Sequence, residues 1–497
     1  MSELPTWSHD TWVWSRDPGR ADRLSPTLEV VPTAENFDLV VIGGGPAGYA
    51  TALYGASAGL NIAMIEKQKV GGTCLHVGCI PAKELLETAA VFRTVRDASE
   101  FGVNASSPTL DLQVTQQRKQ RVIDQLFNGL VGLLKGRKVT VIDGFATLHA
   151  DHVVQVSGGL SGAVELTGAV VVLATGSVPR TIPGFEVDGR FVVTSDEMLA
   201  LTDLPATAAV IGGGAIGCEF ASMLADLGTK VTILEALPKI LPGCDADATK
   251  AVERAFKKKG IDVITGVPVH GHDPGENTTA VRYGDNGSLD VELVCVSVGR
   301  SPLTDALGDG TGVERTERGH YVVDEYCRTT AEGVYAIGDC IATPALAHVG
   351  FAEAIFIVQQ ILGESPTPID YGKVPWAIYC NPEVAFAGYT EEAAIKAGFD
   401  VVTAKHRFMG NGRAMILGET EGLVKVIAEK RADGTGGRVL GVHLVGPWVT
   451  EQLGQGYLAV NWEATVDEIA AFIQPHPSLS ELFGETVLSL TGRSLHG

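Results

Sequence analysis

Two cysteines, Cys74 and Cys79, stand five positions apart between a glycine pair and Lys83. Five positions is little more than one helical turn, so both sulfurs could lie on one helix face and form a strained, reducible bridge. Pro81 suits the first turn of a helix, and a helix N-terminus lowers the pKa of a thiol and favours the reactive thiolate. The alternatives are a buried structural pair or half of a metal site, although no further ligands stand nearby. The spacing favours redox chemistry.

A glycine motif precedes the cysteines. An apolar strand over 37–42 runs directly into Gly-x-Gly-x-x-Gly, a helix pattern continues to about residue 59, and a second strand over 61–65 leads to Glu66. Such a triplet between a strand and a helix, with an acid about 20 residues later, is typical of dinucleotide binding, because the pyrophosphate lies on the helix N-terminus. Glu66 would accept hydrogen bonds from the ribose. The three glycines are Gly43, Gly45 and Gly48.

The same unit recurs, with its glycines and its acid each 169 positions further along the chain. A second copy predicts a second nucleotide. Its acid, Glu235, would repel a 2′-phosphate, and the following 236–238 offer no arginine to receive one, so the sequence favours NAD over NADP. The repeated glycines are Gly212, Gly214 and Gly217.

The bulk composition sets wider limits. At 497 residues the chain predicts about three domains. A formal net charge of −21 disfavours nucleic acid as a partner. The chain has eight cysteines, and the six outside this pair are scattered along it, which suits a reducing compartment. No apolar run reaches the ~18 residues of a membrane span, and no signal peptide is visible. We therefore expect a cytoplasmic protein without membrane contact.

The cysteine segment, closed by Cys-Ile-Pro-Ala-Lys at residues 79–83, resembles the redox-active segment of the flavin disulfide reductases, the class I pyridine nucleotide-disulfide oxidoreductases. Within them it is closest to the dihydrolipoamide dehydrogenase family. The resemblance extends over about residues 37–490. It includes Ala-Thr-Gly at 174–176, Val-Gly-Arg-Ser-Pro at 298–302, Gly-Asp at 338–339 and His-Pro-Ser-Leu-Ser-Glu at 476–481.

The resemblance implies an α/β fold with two Rossmann-like dinucleotide-binding domains, for FAD and NAD, and a C-terminal α+β dimerisation domain. The expected limits are 37–182 and 312–369 for the two parts of the FAD-binding domain, 183–311 for the NAD-binding domain and 370–497 for the dimerisation domain. Residues 1–36, which contain three of the six tryptophans, form a leader that either wraps onto the body or docks a partner.

The resemblance also implies roles for individual residues. Cys74 would be the interchange thiol, Cys79 the thiolate next to the flavin, and His476 the acid/base oriented by Glu481, the last two coming from the opposite subunit of a homodimer. Lys83 would lie near the flavin and pair with Glu219. The expected FAD-binding residues are Gly43, Gly45, Pro46, Ala47, Gly48, Glu66, Lys67, Gly72, Thr73, Lys83, Thr175, Gly176, Gly338, Asp339, Leu346, Ala347 and His348. The expected NAD-binding residues are Gly212, Gly214, Ile216, Gly217, Glu235 and Gly299. No metal is expected.

The implied reaction oxidises a protein-bound dihydrolipoyl group. A substrate thiolate attacks Cys74, the electrons reach FAD through Cys79, and a hydride passes to NAD. Three departures from the usual family pattern bear on it: His76 replaces asparagine, Ala82 replaces serine, and Ala215 replaces a bulkier residue that shields the flavin. These residues could alter the redox potential or side reactions.

Other interpretations are weaker. Mercuric reductases need a C-terminal cysteine pair, but the last cysteine here is Cys380. Glutathione-type reductases use NADPH, which Glu235 opposes. Two alternatives stay open: another NAD(P)H-dependent disulfide reductase of the same fold, and a non-catalytic scaffold subunit. Retention of both cysteines, the Lys83 and Glu219 pair and the His476 and Glu481 pair argues against the scaffold.

Overall fold

A computed structural model describes residues 36–159 and 162–496. The expected leader therefore lies outside the described residues, except for Asn36. Within those two ranges, no helix combines the length and the apolar character needed to cross a membrane.

The first part of the chain builds a seven-stranded sheet around an apolar central strand, in which Leu39, Val40 and Val41 are fully buried. The sheet order is β3-β2-β1-β6-β5-β4, with a later strand, β17 Val334–Ala336, beside β6. Its elements are β1 Asn36–Ile42, α1 Pro46–Ser57, β2 Ile62–Glu66, α2 Gly72–His76, α3 Cys79–Arg96, α4 Leu112–Gly136, β3 Thr140–Asp143, β4 Phe145–Leu148, β5 Val153–Ser157, β6 Val164–Leu173 and, after the sheet, β7 Ser177–Pro179.

The second part repeats the arrangement with a five-stranded parallel sheet, ordered β11-β10-β9-β15-β8. A separate antiparallel sheet, β12-β13-β14, is inserted between β11 and β15 of the parallel sheet, and β16 pairs with β7. The elements are β8 Val192–Val193, α5 Ser195–Met198, β9 Thr207–Ile211, α6 Ala215–Asp226, β10 Lys230–Glu235, α7 Ala246–Lys258, β11 Asp262–Thr265, β12 Val269–Pro274, β13 Thr279–Tyr283, β14 Gly287–Val291, β15 Leu293–Val296 and β16 Arg300–Pro302.

The chain then returns to the first sheet and ends in an antiparallel sheet, ordered β18-β19-β22-β21-β20 and packed against helices. The returning strand and helix are β17 Val334–Ala336 and α8 Ala347–Ile361. The last part contains β18 Trp376–Ile378, β19 Glu383–Gly388, α9 Glu391–Lys396, β20 Val401–Arg407, α10 Gly412–Leu417, β21 Leu423–Lys430, β22 Gly436–Gly446, α11 Val449–Asn461, α12 Val466–Ala470 and α13 Glu481–Ser489.

The expected fold class, α/β with two dinucleotide-binding units and a C-terminal α+β part, is confirmed. The strands next to the first glycine motif begin and end within one residue of their expected limits. One local expectation was wrong: the two cysteines do not share a single helix. Cys74 lies in α2 and Cys79 begins α3, because the chain leaves helical geometry at Val77 and Gly78.

Candidate active site

In both glycine motifs, the first and third glycines lie in tight turns that leave no room for a side chain. At Gly43, φ is +110° and a Cβ atom would lie 2.2 Å from the carbonyl oxygen of Ala174. At Gly48, a Cβ would lie 1.9 Å from the oxygen of Gly43, so only glycine lets α1 approach the strand this closely. The second motif has the same restrictions at Gly212, with φ +103°, and at Gly217, where a Cβ would meet the Gly212 oxygen at 2.0 Å.

In each unit, the acid at the end of the second strand accepts hydrogen bonds from the glycine turn of the same unit. Glu66 accepts hydrogen bonds from the backbone N–H groups of Gly44, at 2.7 Å, and Gln68, at 2.9 Å. Glu235 accepts them from Gly213, at 2.6 Å, and from Leu237, at 2.7 Å. Each acid therefore lies against its own glycine turn, where a ribose could meet it. Ribose binding itself stays a prediction.

A cavity of about 600 Å³ runs between the two units and the return of the chain at 337–350. Most of the predicted site residues line it. They are Gly43, Gly45, Pro46, Ala47, Glu66, Lys67, Gly72, Thr73, Cys74, Cys79, Lys83, Thr175, Gly176, Gly214, Ile216, Glu219, Gly299, Gly338, Asp339, Leu346 and Ala347. Seven predicted residues are outside this lining: Gly48, Gly212, Gly217, Glu235, His348, His476 and Glu481.

The cysteines face this cavity as free thiols. Cys74 donates a hydrogen bond to the sulfur of Cys79, which lowers the pKa of Cys79 to about 7 in spite of burial, and the charge of Lys83 adds to the effect. The same bond raises the pKa of Cys74, and burial raises it further. The pair is therefore asymmetric: as the pH rises, Cys79 loses its proton first and Cys74 keeps its proton.

Lys83 lies one turn beyond Cys79 on α3 and forms an ion pair with Glu219 of α6. The Nζ atom is 2.9 Å from both carboxylate oxygens. Burial alone would lower the pKa of Lys83, but the charge and hydrogen bonds of Glu219 outweigh it and the pKa is raised. The backbone N–H of Tyr379 also donates to Glu219, at 2.8 Å. The predicted pair thus forms and keeps a positive charge beside Cys79.

Asp339 belongs to a polar group that the sequence did not indicate. Ser177 donates to its Oδ2 atom at 2.6 Å, and the Arg300 guanidinium donates to the Ser177 hydroxyl and carbonyl, each at 2.7 Å. Ser177 and Arg300 also line the cavity. Their only sequence signal is their position, next to the Ala-Thr-Gly and Val-Gly-Arg segments.

Glu353 is a second residue that sequence reasoning missed. Its side chain is fully buried, and its carboxylate accepts hydrogen bonds from the Gly338 N–H, at 2.6 Å, the Thr343 hydroxyl, at 2.8 Å, and the Tyr371 hydroxyl, at 2.9 Å. Burial raises the pKa of Glu353, although these three donors oppose the shift. The residue fixes the turn that presents Asp339 to the cavity.

The two predicted histidines lie elsewhere. His348 is bonded through Nε2 to the carbonyl of Pro375, at 2.8 Å, on the outside of α8. His476 is 78% exposed, and its Nδ1 atom is 2.8 Å from Glu481 Oε1. The second oxygen of Glu481 accepts from the Ser478 N–H, at 2.8 Å, and burial is outweighed by these bonds, so the pKa of Glu481 is lowered. The His476 pair is preformed but does not line the cavity that contains the cysteines of its own chain.

The cavity has features that suit the binding of dinucleotides. The N-termini of α1, α6 and α8 meet it, and none of the three has a side-chain cap, so their first N–H groups are free to bind phosphate or a flavin carbonyl. Gly45 and Gly214, where an added Cβ would have open space around it, line the cavity at the first two of these ends. Among the described residues, no group of three or more histidine, cysteine or acidic side chains could hold a metal ion.

Comparisons with known proteins agree with this geometry. The pyridine nucleotide-disulphide oxidoreductase family model matches residues 37–354, and the dimerisation domain of the same family matches 374–487. A dihydrolipoyl dehydrogenase of Bacillus subtilis is 40% identical over 93% of this chain and 100% of its own length. One from Geobacillus stearothermophilus is 36% identical over 92% and 97%.

Solved structures are similar over almost the whole chain. LpdA from Mycobacterium tuberculosis superposes with a TM-score of 0.85 at 26% identity, covering 92% of this chain and 100% of that one. The HOCl-induced flavoprotein disulfide reductase RclA from Escherichia coli has a TM-score of 0.81 at 30% identity, covering 91% and 99%. Enzymes of this kind use FAD and NAD, and the dimerisation domain supports a homodimer. The chain therefore belongs to the pyridine nucleotide-disulphide oxidoreductase family and, within it, to the dihydrolipoyl dehydrogenases.

Proposed function

We propose that this enzyme oxidises a dihydrolipoyl group on a carrier protein, with NAD as the electron acceptor and Cys74 and Cys79 as the reacting disulfide. The observation that supports this most directly is the asymmetric cysteine pair beside Lys83 at the junction of two dinucleotide units. The relatives named dihydrolipoyl dehydrogenase supply the substrate class.

The thiol chemistry balances with the residues of this chain. A first substrate thiol loses its proton to His476 and attacks Cys74 Sγ of the enzyme disulfide, and Cys79 leaves as a thiolate. The second substrate sulfur attacks the first and releases Cys74, which takes a proton. Two electrons have then moved from the substrate dithiol to the enzyme pair. Bound FAD supplies the two-electron link from that pair to NAD.

Each charged residue has a defined task in this scheme. Cys79 is a good leaving group because the charge of Lys83 stabilises the thiolate that forms as the disulfide bond breaks. Lys83 contributes positive charge beside that thiolate, and Glu219 keeps Lys83 ionised. Glu481 is ionised, because its pKa is lowered, and its carboxylate orients the His476 ring through the Nδ1 atom.

The exposed position of His476 supports its delivery to the cysteines of a second subunit. The side chain is 78% exposed, while the cysteines open into the internal cavity. We therefore propose that each active site of the homodimer combines the cysteines of one subunit with His476 of the other. The domain limits 37–182, 183–311, 312–369 and 370–497 are part of the same proposal.

Anaerobic titration of the purified holoenzyme with dihydrolipoamide tests the substrate. We expect two thiols per subunit to appear on reduction, and NAD, but not NADP, to reoxidise them. If NADH reduced the cysteine pair and dihydrolipoamide did not, the substrate would be another disulfide. Similarity to RclA favours this alternative. An enzyme whose cysteines react with neither would leave only the scaffold role.

Mixed dimers test the shared site. Co-assembly of Cys74→Ser and His476→Gln subunits in equal amounts should restore about a quarter of the wild-type rate, because half of the dimers regain one of two sites. His496→Gln is the matched control, since His496 is 75% exposed and also lies beside a glutamate, Glu485, at 3.3 Å. If the rate of the mixture did not exceed the rates of the two single variants, the shared site would be contradicted, and the substrate assignment would be unaffected.

A further inference from the structure

His76 lies between the two cysteines and joins three parts of the chain. It is the last residue of α2, and its Nε2 atom donates to the carbonyl oxygen of Val70 at 2.9 Å. The ring also contacts Phe127 of α4 edge-on, with centroids 5.4 Å apart and planes at 66°. The C-terminal end of α2 is thus fixed both to the segment that precedes it and to α4.

The helix that holds Cys74 needs such contacts. It has only five residues and its N-terminus at Gly71 lacks a side-chain cap, and so short a helix is not stable alone. The chain breaks between α2 and α3, with Gly78 as the N-cap of α3. No continuous helix therefore sets the distance between Cys74 and Cys79; that distance depends on how each helix is held separately.

We propose that His76 is a positioning residue that holds α2 where Cys74 can hydrogen-bond to Cys79, and that it thereby sets the balance between the dithiol and the disulfide. His76 is not among the residues that line the cavity, so it acts through Cys74 and not on a substrate or cofactor. This inference rests on the proposed redox role of the pair.

The electrostatics of the pair agree with this role. The lowered pKa of Cys79 has the hydrogen bond from Cys74 as its largest cause. Loosening α2 would weaken that bond and destabilise the dithiol form, in which the His76 contact and the thiol–thiolate bond exist together. The equilibrium would then move toward the disulfide.

Holoenzymes equilibrated with mixtures of reduced and oxidised dithiothreitol, then trapped by alkylation and analysed as the peptide containing both cysteines, provide the test. We expect His76→Leu to shift the dithiol–disulfide equilibrium toward the disulfide by about 3- to 10-fold, the range for one lost hydrogen bond. His76→Gln, whose amide can still donate to Val70, should restore most of the wild-type value. Phe127→Leu should shift it the same way by less.

The control is His270→Leu, which removes a histidine–carbonyl bond of the same length, 2.9 Å to Gly284, in the sheet β12-β13-β14. As a second readout, the rate of Cys79 alkylation in the reduced enzyme should rise with pH around a midpoint near 7 in wild type and around a higher midpoint in His76→Leu. A disulfide that forms normally while His76→Leu behaves like His270→Leu would overturn the role of His76 alone. A wild-type pair that forms no disulfide would overturn the proposed function as well.

Discussion

The two glycine units, 36–66 and 207–235, share their backbone bonds almost atom for atom. In each, the N–H of the residue between the first two motif glycines donates to the acid at the end of the second strand, at 2.7 Å for Gly44 and 2.6 Å for Gly213. The first glycine of each motif donates to the second strand, and the third packs against the first. The repeat of 169 positions in the sequence is therefore a repeat of structure.

The segments that cover the two turns differ. In the first unit, the Gly71 N–H binds the Gly44 carbonyl at 2.7 Å, and the chain then enters α2 and the cysteines. In the second, the Leu241 N–H binds the Gly213 carbonyl, also at 2.7 Å, and the chain then reaches Asp245, the N-cap of α7. The first covering segment supplies the reactive cysteines. The second supplies Asp245, which anchors this segment to the C-terminal part of the chain through an ion pair with Lys425.

The helices that follow the turns differ as well. The third glycine is followed by Tyr49-Ala50 in α1 and by Cys218-Glu219 in α6, so the site of the buried acid corresponds to an alanine. Helix α6 is buried along most of its length, because α3 contacts it through two ion pairs and the backbone near β18 contacts it through Glu219 and Ser222. The two units therefore share the backbone of a nucleotide-binding turn, whereas the side chains of their helices make different contacts.

The largest expected effect is the loss of stability in Lys425→Met, which tests whether the second covering segment is an anchor. Lys425 is 3% exposed and its Nζ atom lies 2.6–3.2 Å from oxygens of Asp245, Asp247 and Glu391. Lys425→Met leaves Asp245 buried without its cation, so we expect the free energy of unfolding to fall by about 3–5 kcal/mol. Denaturant unfolding measures it.

The control is Lys258→Met, which removes an exposed pair with Glu421 and should cost at most about 1 kcal/mol. The pH dependence adds a sign. Burial would raise the pKa of Asp247, but Lys405 and Lys425 lower it from 3.8 to about 2, so its stabilisation exists above 3.8 and is lost as the pH falls toward 2. The gap between wild type and Lys425→Met should therefore narrow in acid. Equal losses for both lysines would mean that the second covering segment is no anchor.

Alanine substitutions at the third glycine of each motif test whether FAD and NAD bind at separate units. A Cβ would lie 1.9 Å from the Gly43 oxygen in Gly48→Ala and 2.0 Å from the Gly212 oxygen in Gly217→Ala. Each change should displace its helix at a cost of about 1–3 kcal/mol. We expect Gly48→Ala to lose flavin content, and Gly217→Ala to keep flavin but bind NAD more weakly, measured by flavin absorbance and by NAD titration.

Gly129→Ala is the control for these two variants. It lies on the exposed side of α4 with open space around its Cβ position, and it should leave both cofactors bound. If either motif variant impaired both cofactors equally, the two units would not be separate sites.

The sequence predicted the parts of the molecule whose signals are local. Strand, glycine turn, helix and acid follow one another within 30 residues, so the limits of these elements and the turns at Gly43 and Gly212 could be read directly. The pairing of Lys83 with Glu219 was found only because the family resemblance joins residues 136 positions apart.

Long-range polar contacts could not be predicted in the same way. Ser177 meets Asp339 from 162 positions away and Arg300 meets Ser177 from 123, and no periodicity relates them. Glu353 looks like any acid on a helix until the turn at Gly338 folds against it. The break between α2 and α3 was missed because a five-residue spacing fits a helix, while Gly78 adopts a backbone conformation, φ −149° and ψ −114°, that ends one.

The smallest expected effect tests whether the second unit tunes the cysteines of the first. Beyond the bond from Cys74 and burial, the charge of Lys83 lowers the pKa of Cys79 and that of Glu219 raises it. Lys83→Met should therefore raise the pKa of Cys79, and Glu219→Gln should lower it. The pH dependence of Cys79 alkylation in the reduced enzyme measures both shifts, which have opposite signs.

Arg93→Met is the matched control, because Arg93 forms the other ion pair between α3 and α6, at 2.7 Å to Asp226, which keeps Lys259 as a partner. It loosens the same two helices without changing the charge beside Cys79, so the alkylation midpoint should stay where it is in wild type. A shift in Arg93→Met as large as that in Lys83→Met would mean that helix packing, and not charge, connects the two units. Opposite shifts in the Lys83 and Glu219 variants, with none in the control, would identify Glu219 as an electrostatic partner of the Cys79 thiolate.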